Sequence, residues 1–296
     1  MHAGKGIGVS MRKYDADLVA RIRDKEYVET IDGVDILMKP VPDDDRKHVM
    51  DPRILEIAKA KKAMFAQRAK GGFRLSNERY RPDKITYDLT KTAIDVEERL
   101  IDIKGDHKID VYLYRRSDVN DVTPVLVYFH GGGFTAGDMR LFANQMKLIA
   151  ELSSALVVFP EYRLAPECPF PGAIDDAKGT IDWVLAHAQE LRIDPNRLMV
   201  AGDSAGASLT NACLLLDEAK AVKKAVELYP AADMEDFRTQ TRYTWSYDAY
   251  EIIEEQKAYA YSRIDRIKNS VGGSEEDNLY LQGKTTFRDP LVSIIH

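Results

Sequence analysis

The sequence has no excess of positive charge: 42 Lys and Arg stand against 48 Asp and Glu, a formal net charge of −6 over 296 residues. A chain so balanced offers no strong field to nucleic acid or to an anionic membrane surface. No stretch approaches the roughly 18 consecutive apolar residues of a membrane span. Met1 to Tyr14 carries Lys and Arg but no apolar core of a secretory signal. Cysteine is scarce, and Cys168 and Cys213 lack the C-x-x-C spacing of a metal or redox site. No internal repeat or low-complexity tract is present. These absences leave a cytoplasmic globular chain as the expectation, with no nucleic-acid partner, no membrane span, no metal and no cofactor.

What is present suits one large α/β domain with an appended segment: 45% of residues are hydrophobic and 30% charged, the balance of an ordinary globular protein. The first ninety residues are expected to be helical, without strand alternation. Met11 to Thr30 carries Leu18, Val19 and Ile22 at helical spacing, and Asp51 to Lys70 carries Ile54, Ile57, Ala58, Met64 and Phe65. The proline-bearing link between them holds Asp43, Asp44 and Asp45. It reads as a solvated, helix-capping loop, because no second acidic cluster stands at cation-ligand spacing.

From Ile94 the texture changes. Val96 to Ile103, a Gly105-Asp106 turn and Ile109 to Tyr114 read as an antiparallel hairpin. Short apolar runs follow at Val125–Phe129, Ala155–Phe159, Leu198–Ala201 and Ala225–Tyr229. Continuous apolarity bounded by Gly and Pro suits parallel strands buried on both faces. Ile174, Ala177, Ile181, Val184, Leu185 and Ala188 mark a crossover helix, so the pattern predicts an α/β fold with a mostly parallel sheet. Asp248 to Lys268 reads as a further helix, stopped by Gly272-Gly273.

Two glycine-rich runs carry the chemistry. Gly202-Asp203-Ser204-Ala205-Gly206 follows an apolar strand and precedes a helical pattern, the setting of a G-x-S-x-G nucleophile elbow. A serine hydroxyl is a poor nucleophile at neutral pH and needs exposure, a base and donors for the oxyanion. His130-Gly131-Gly132-Gly133-Phe134 ends the strand Val125–Phe129, and its glycines let backbone N–H groups turn toward a substrate oxygen. G-x-G-x-x-G spacing is absent, which argues against a dinucleotide cradle. His130 lies on the turn itself and is expected, with Gly131, to brace it. Cys168 and Cys213 read as packing residues.

Together with Glu161-Tyr162-Arg163-Leu164-Ala165-Pro166-Glu167 and Pro169-Phe170-Pro171, these motifs resemble the hormone-sensitive-lipase-like branch of the α/β-hydrolases. Glu161 stands where that branch usually has aspartate. The resemblance covers about Glu97 to Ile295. It implies Ser204 as nucleophile, the N–H groups of Gly132, Gly133 and Ala205 as oxyanion hole, and a carboxylic-ester hydrolase acting on short- to medium-chain acyl esters. It also implies a helical N-terminal or cap region over 1–92, a hydrolase core over 93–231, a second cap segment over 232–283 and a return toward the core over 284–296. Phe237, Tyr243, Trp245, Tyr247 and Tyr250 would line an apolar pocket in that segment or fill the cap's own core.

In the family the acid and base follow the serine. After Gly206 only His296 remains, the other histidines being His2, His48, His107, His130 and His187. Asp289-Pro290-Leu291 is similar to the family's acid turn but does not follow a buried apolar strand, so Asp289 and His296 are not assigned to a triad. The catalytic Asp and His are unidentified, and the strands expected to carry them are missing. A non-catalytic, receptor-like binding protein of the same fold is the alternative. The strand Ala225–Tyr229 is then expected at a bare sheet edge, through which copies of the chain self-associate.

Overall fold

The computed structural model describes residues 15–69, 74–79, 86–235, 246–268 and 274–296. The chain divides into two compact units. One comprises Arg12–Phe73 and Asp236–Gly272, the other Arg74–Glu235 and Gly273–His296.

In the first unit, α1 (Ala16–Asp24) starts at Asp15, whose carboxylate accepts the Leu18 N–H at 3.0 Å. Contrary to what its spacing predicts, the N-terminal region is not wholly helical, because a hairpin follows α1. Strands β1 (Tyr27–Ile31) and β2 (Val34–Met38) pair as an antiparallel hairpin. Its turn residues Asp32 and Gly33 have φ of 50° and 81°, the left-handed pair that a two-residue hairpin turn requires. Asp43 pairs with Arg21 and Arg53, and Asp45 with Lys25 at 2.5 Å. The expected solvated loop thus ties α1 to the start of α2 (Pro52–Ala69).

Gln256, on the later helix of this unit, accepts the Met50 N–H at 2.6 Å. That helix begins at Glu254 and ends at Lys268, later than the expected Asp248, which lies in a short 3-10 turn, Tyr247–Ala249. Phe237, Tyr243, Trp245, Gly272 and Gly273 lie outside the described residues.

The second unit opens with α3 (Leu75–Arg79) and then builds a six-stranded sheet. Strands β3 (Ile94–Ile103) and β4 (His107–Arg116) form the expected hairpin, Ile103 facing His107 at its turn. Strands β5 (Thr123–Phe129), β6 (Leu156–Pro160), β7 (Ile193–Asp203) and β8 (Val222–Leu228) alternate with α4 (Met139–Ser153), α5 (Gly172–Ala186) and α6 (Ala205–Leu215). The strand order is β3-β4-β6-β5-β7-β8. The pairs β6–β5, β5–β7 and β7–β8 are parallel, and β4–β6 is antiparallel. The helix closing the first unit, Glu254–Lys268, completes the series as α7.

Period-two alternation explains why these strands read as continuous apolar runs. Val125, Val127 and Phe129 of β5, with Leu156 and Val158 of β6, enter the core beneath α5 and α6. Leu126 and Tyr128, with Val157 and Phe159, enter a second core beside Met146 and Ala150 of α4. Each such side chain contributes about 1.5–3 kcal/mol by leaving water. On α5, Ala173, Ile174, Ala177, Ile181 and Val184 form the buried face that the helical spacing predicts. Among the described residues β8 is the outermost strand beyond β7, and its Val226 and Leu228 and the following Tyr229 are 55%, 39% and 73% exposed.

Candidate active site

Ser204 lies where β7 turns into α6, with φ 52° and ψ −118°. That left-handed φ is uncommon outside glycine and marks a side chain held in a backbone conformation that the surrounding packing imposes. Its N–H donates to the Leu228 carbonyl at 2.9 Å, and its carbonyl accepts from Ser208 N–H at 3.1 Å as α6 begins. The hydroxyl is thereby carried at the N-terminal end of a helix, where the dipole favours developing negative charge. Gly206 allows the tight approach: a Cβ there would strike the backbone carbonyl of Phe129, the last residue of β5.

The glycine turn begins one residue beyond β5. Gly132 has φ 146°, and a Cβ on it would collide with the Ala136 carbonyl. Thr135 and Ala136 N–H groups donate to the Gly132 carbonyl, closing the turn. Among the described residues, no intrachain hydrogen bond uses the N–H of Gly132, Gly133 or Ala205. The two motifs are tied directly. Asp203 Oδ1 accepts from Gly131 N–H at 2.9 Å and from the Tyr128 hydroxyl at 3.1 Å.

His130 is fully buried and stacks on Tyr162, with ring centroids 4.3 Å apart. The Tyr162 hydroxyl donates to the His130 carbonyl at 2.6 Å, and His130 Nδ1 lies 3.0 Å from the Gly131 carbonyl. Burial pulls the imidazole down to about 4, against smaller opposing effects of the Gly131 bond and of Asp138. The ring is therefore neutral at physiological pH and sits as packing beneath the turn.

The outer side of the turn is held by Arg79 of α3. Its guanidinium donates to the Thr135 carbonyl at 2.8 Å and the Ala165 carbonyl at 2.9 Å, and grips Glu167 bidentately at 2.8 and 2.6 Å. Arg163 pairs instead with the buried Asp176, which also lies 2.6 Å from His107 Nε2. Phe134 stacks on Tyr280 at 3.8 Å, and Tyr280 accepts the Phe170 N–H at 2.8 Å. The segment around Leu281, fully buried, thus backs the turn from within the same unit.

Arg79, Tyr162 and Asp203 join the site only through the fold. Asp203 carries a usable signal, a carboxylate at the end of a buried strand between Gly202 and Ser204, where it must find donors. Arg79 had none, because its partners are distant in the chain.

The remaining sequence candidates are engaged elsewhere. Asp289 accepts from the Thr285 hydroxyl at 2.7 Å and the Leu291 N–H at 2.9 Å, the pattern of a local turn. His296 Nε2 lies 3.7 Å from both Asp233 Oδ1 and Glu235 Oε2. Among the described residues, these three bring metal-ligand atoms within 4.8 Å of one another, but Arg288 already pairs with Glu235 at 2.5 Å. His48 pairs with Glu251, and His187 Nδ1 meets the Trp183 carbonyl. His2 lies outside the described residues. Burial raises both thiols, Cys213 to about 12, so neither is poised as a nucleophile.

A family model described as alpha/beta hydrolase fold matches residues 126–294. Carboxylesterase NlhH of Mycobacterium tuberculosis is 42% identical over 115 residues, covering 39% of this chain and 36% of that protein. Esterase LipI of the same organism is 34% identical over 170 residues, covering 56% and 51%. The chain therefore spans between about a third and a half of these relatives' length. An esterase structure from Pyrobaculum calidifontis superposes with a TM-score of 0.55 at 26% identity, covering 83% of this chain and 74% of that one. No helix among the described residues is long and apolar enough to cross a membrane. The chain belongs to the α/β-hydrolase family, in the hormone-sensitive-lipase-like branch that its motifs resemble.

Proposed function

We propose that the chain carries the acyl-transfer centre of a carboxylic-ester hydrolase acting on short- to medium-chain acyl esters. Ser204 Oγ attacks the ester carbonyl and expels the alcohol, and water then releases the acid from the acyl-enzyme. The N–H groups of Gly132, Gly133 and Ala205 receive the oxyanion. The observation that carries this reading is the bond from Gly131 N–H to Asp203 at 2.9 Å, which fixes the glycine turn beside the elbow. It is joined by the strained φ of Ser204 and by the esterase names of the relatives. Neither acid nor base is assigned to a residue of this chain.

Hydrolysis of p-nitrophenyl butyrate tests the reading. Turnover by the chain that falls to background in Ser204→Ala, with an unchanged circular-dichroism spectrum, is the expected result. Equal rates in the two proteins overturn it.

A further inference from the structure

Phe134 follows the glycines of the turn with φ 61°, directly after Gly133 at 63°. Two successive left-handed residues, one of them a phenylalanine, need outside partners to persist. The Phe134 carbonyl accepts the Ala165 N–H at 2.9 Å, and its ring stacks on Tyr280. The next carbonyl, that of Thr135, accepts Arg79 Nε at 2.8 Å, while Arg79 Nη2 donates to the Ala165 carbonyl at 2.9 Å. The guanidinium thus closes a circuit between the turn and the segment beside it.

A trans peptide unit points its N–H away from its C=O. The Thr135 carbonyl and the Ala136 N–H share one such unit, and the Ala136 N–H donates to the Gly132 carbonyl at 3.1 Å. The Gly132 carbonyl in turn shares a unit with the Gly133 N–H. From Arg79 a chain of hydrogen bonds therefore runs through two peptide units and ends on the Gly133 N–H. Each link fixes the direction of the next and polarises it, with a full positive charge at the head.

An arginine suits this place because two edges of its plane are used. Nε and Nη2 hold the two carbonyls, and Nη1 and Nη2 grip Glu167 at 2.8 and 2.6 Å. An ammonium has no such fork. Arg79 also lines a cavity of about 540 Å³ with Glu161, Arg163 and Glu167, so a small cation can reach its place from solvent.

We propose that Arg79 is a positioning residue for the oxyanion site, orienting and polarising the Gly133 N–H through the Ala136 amide. This rests on the reading of Ser204 and Gly133 given under the proposed function. A donor aimed at the oxyanion acts in the transition state, so weakening it falls on kcat rather than on KM.

Hydrolysis of p-nitrophenyl butyrate by wild type, Arg79→Ala and Arg79→Lys, with amide exchange read at Ala136, tests it. Arg79→Ala is expected to lower kcat about tenfold to a hundredfold with KM nearly unchanged. Millimolar guanidinium chloride restores part of that loss, whereas Arg79→Lys stays impaired. The Ala136 amide exchanges faster in both variants. Wild-type kcat in Arg79→Ala, a loss confined to KM, no recovery with guanidinium, or unchanged exchange at Ala136 overturns the proposal. Should Arg79→Ala not fold, Glu167→Gln takes its place, because Glu167 is exposed. A smaller fall in kcat with faster Ala136 exchange then supports the proposal, and wild-type values of both overturn it. Absence of turnover in wild type overturns the proposed function itself, and the exchange measurement alone then decides whether Arg79 holds the turn.

Discussion

Glu161 is a carboxylate in the wrong solvent. It is largely buried, accepts the Met139 N–H at the start of α4, and has Asp138 and Asp110 as acidic neighbours. Burial is the main cause that raises it to about 7, with the two aspartates adding and the Met139 bond opposing. A group raised in the folded state stabilises the fold below its unfolded value near 4.5, and loses that contribution as pH climbs through 7. The whole difference is on the order of 2 kcal/mol once residual solvent screening is allowed for. Thermal melts of Glu161→Gln and wild type between pH 4 and 8 should therefore converge at the acid end, with wild type losing more stability as pH rises. Parallel curves across that window contradict this assignment.

At the scale of elements, the site is two loops whose glycines let them touch, locked by one carboxylate. Asp203→Ala removes the acceptor for the Gly131 N–H and for the Tyr128 hydroxyl, both on buried residues. A cost of about 1–3 kcal/mol in denaturant unfolding is expected, with faster amide exchange over residues 130–136. Unchanged exchange there means that Arg79 and Tyr162 hold the turn without Asp203.

How much of this was legible follows from burial. Strands β5, β6 and β7 are covered on both faces and announce themselves as apolar runs, and the elbow and turn are marked by glycines that close contact requires. The β1–β2 hairpin carries one strong sequence signal, the Asp32-Gly33 turn. Val34, Ile36 and Met38 alternate in its second strand as well, but the helical reading of Met11 to Thr30 runs across its first, and most of its apolar residues stay exposed rather than joining a core. Arg79 was illegible for another reason, since its grip on Thr135 and Glu167 exists only after the sheet has formed.

For the whole molecule, the hydrolase unit keeps its glycine turn, elbow and backing segment in one compact body.

The central claim is that Ser204 is the reacting nucleophile. Incubation with a fluorophosphonate, followed by peptide mass spectrometry, reads that property directly, because only a serine with working activation and an oxyanion site is phosphonylated readily. The account predicts a single adduct on the peptide containing Ser204, absent from Ser204→Ala. No adduct, or an adduct on any other residue, would contradict it.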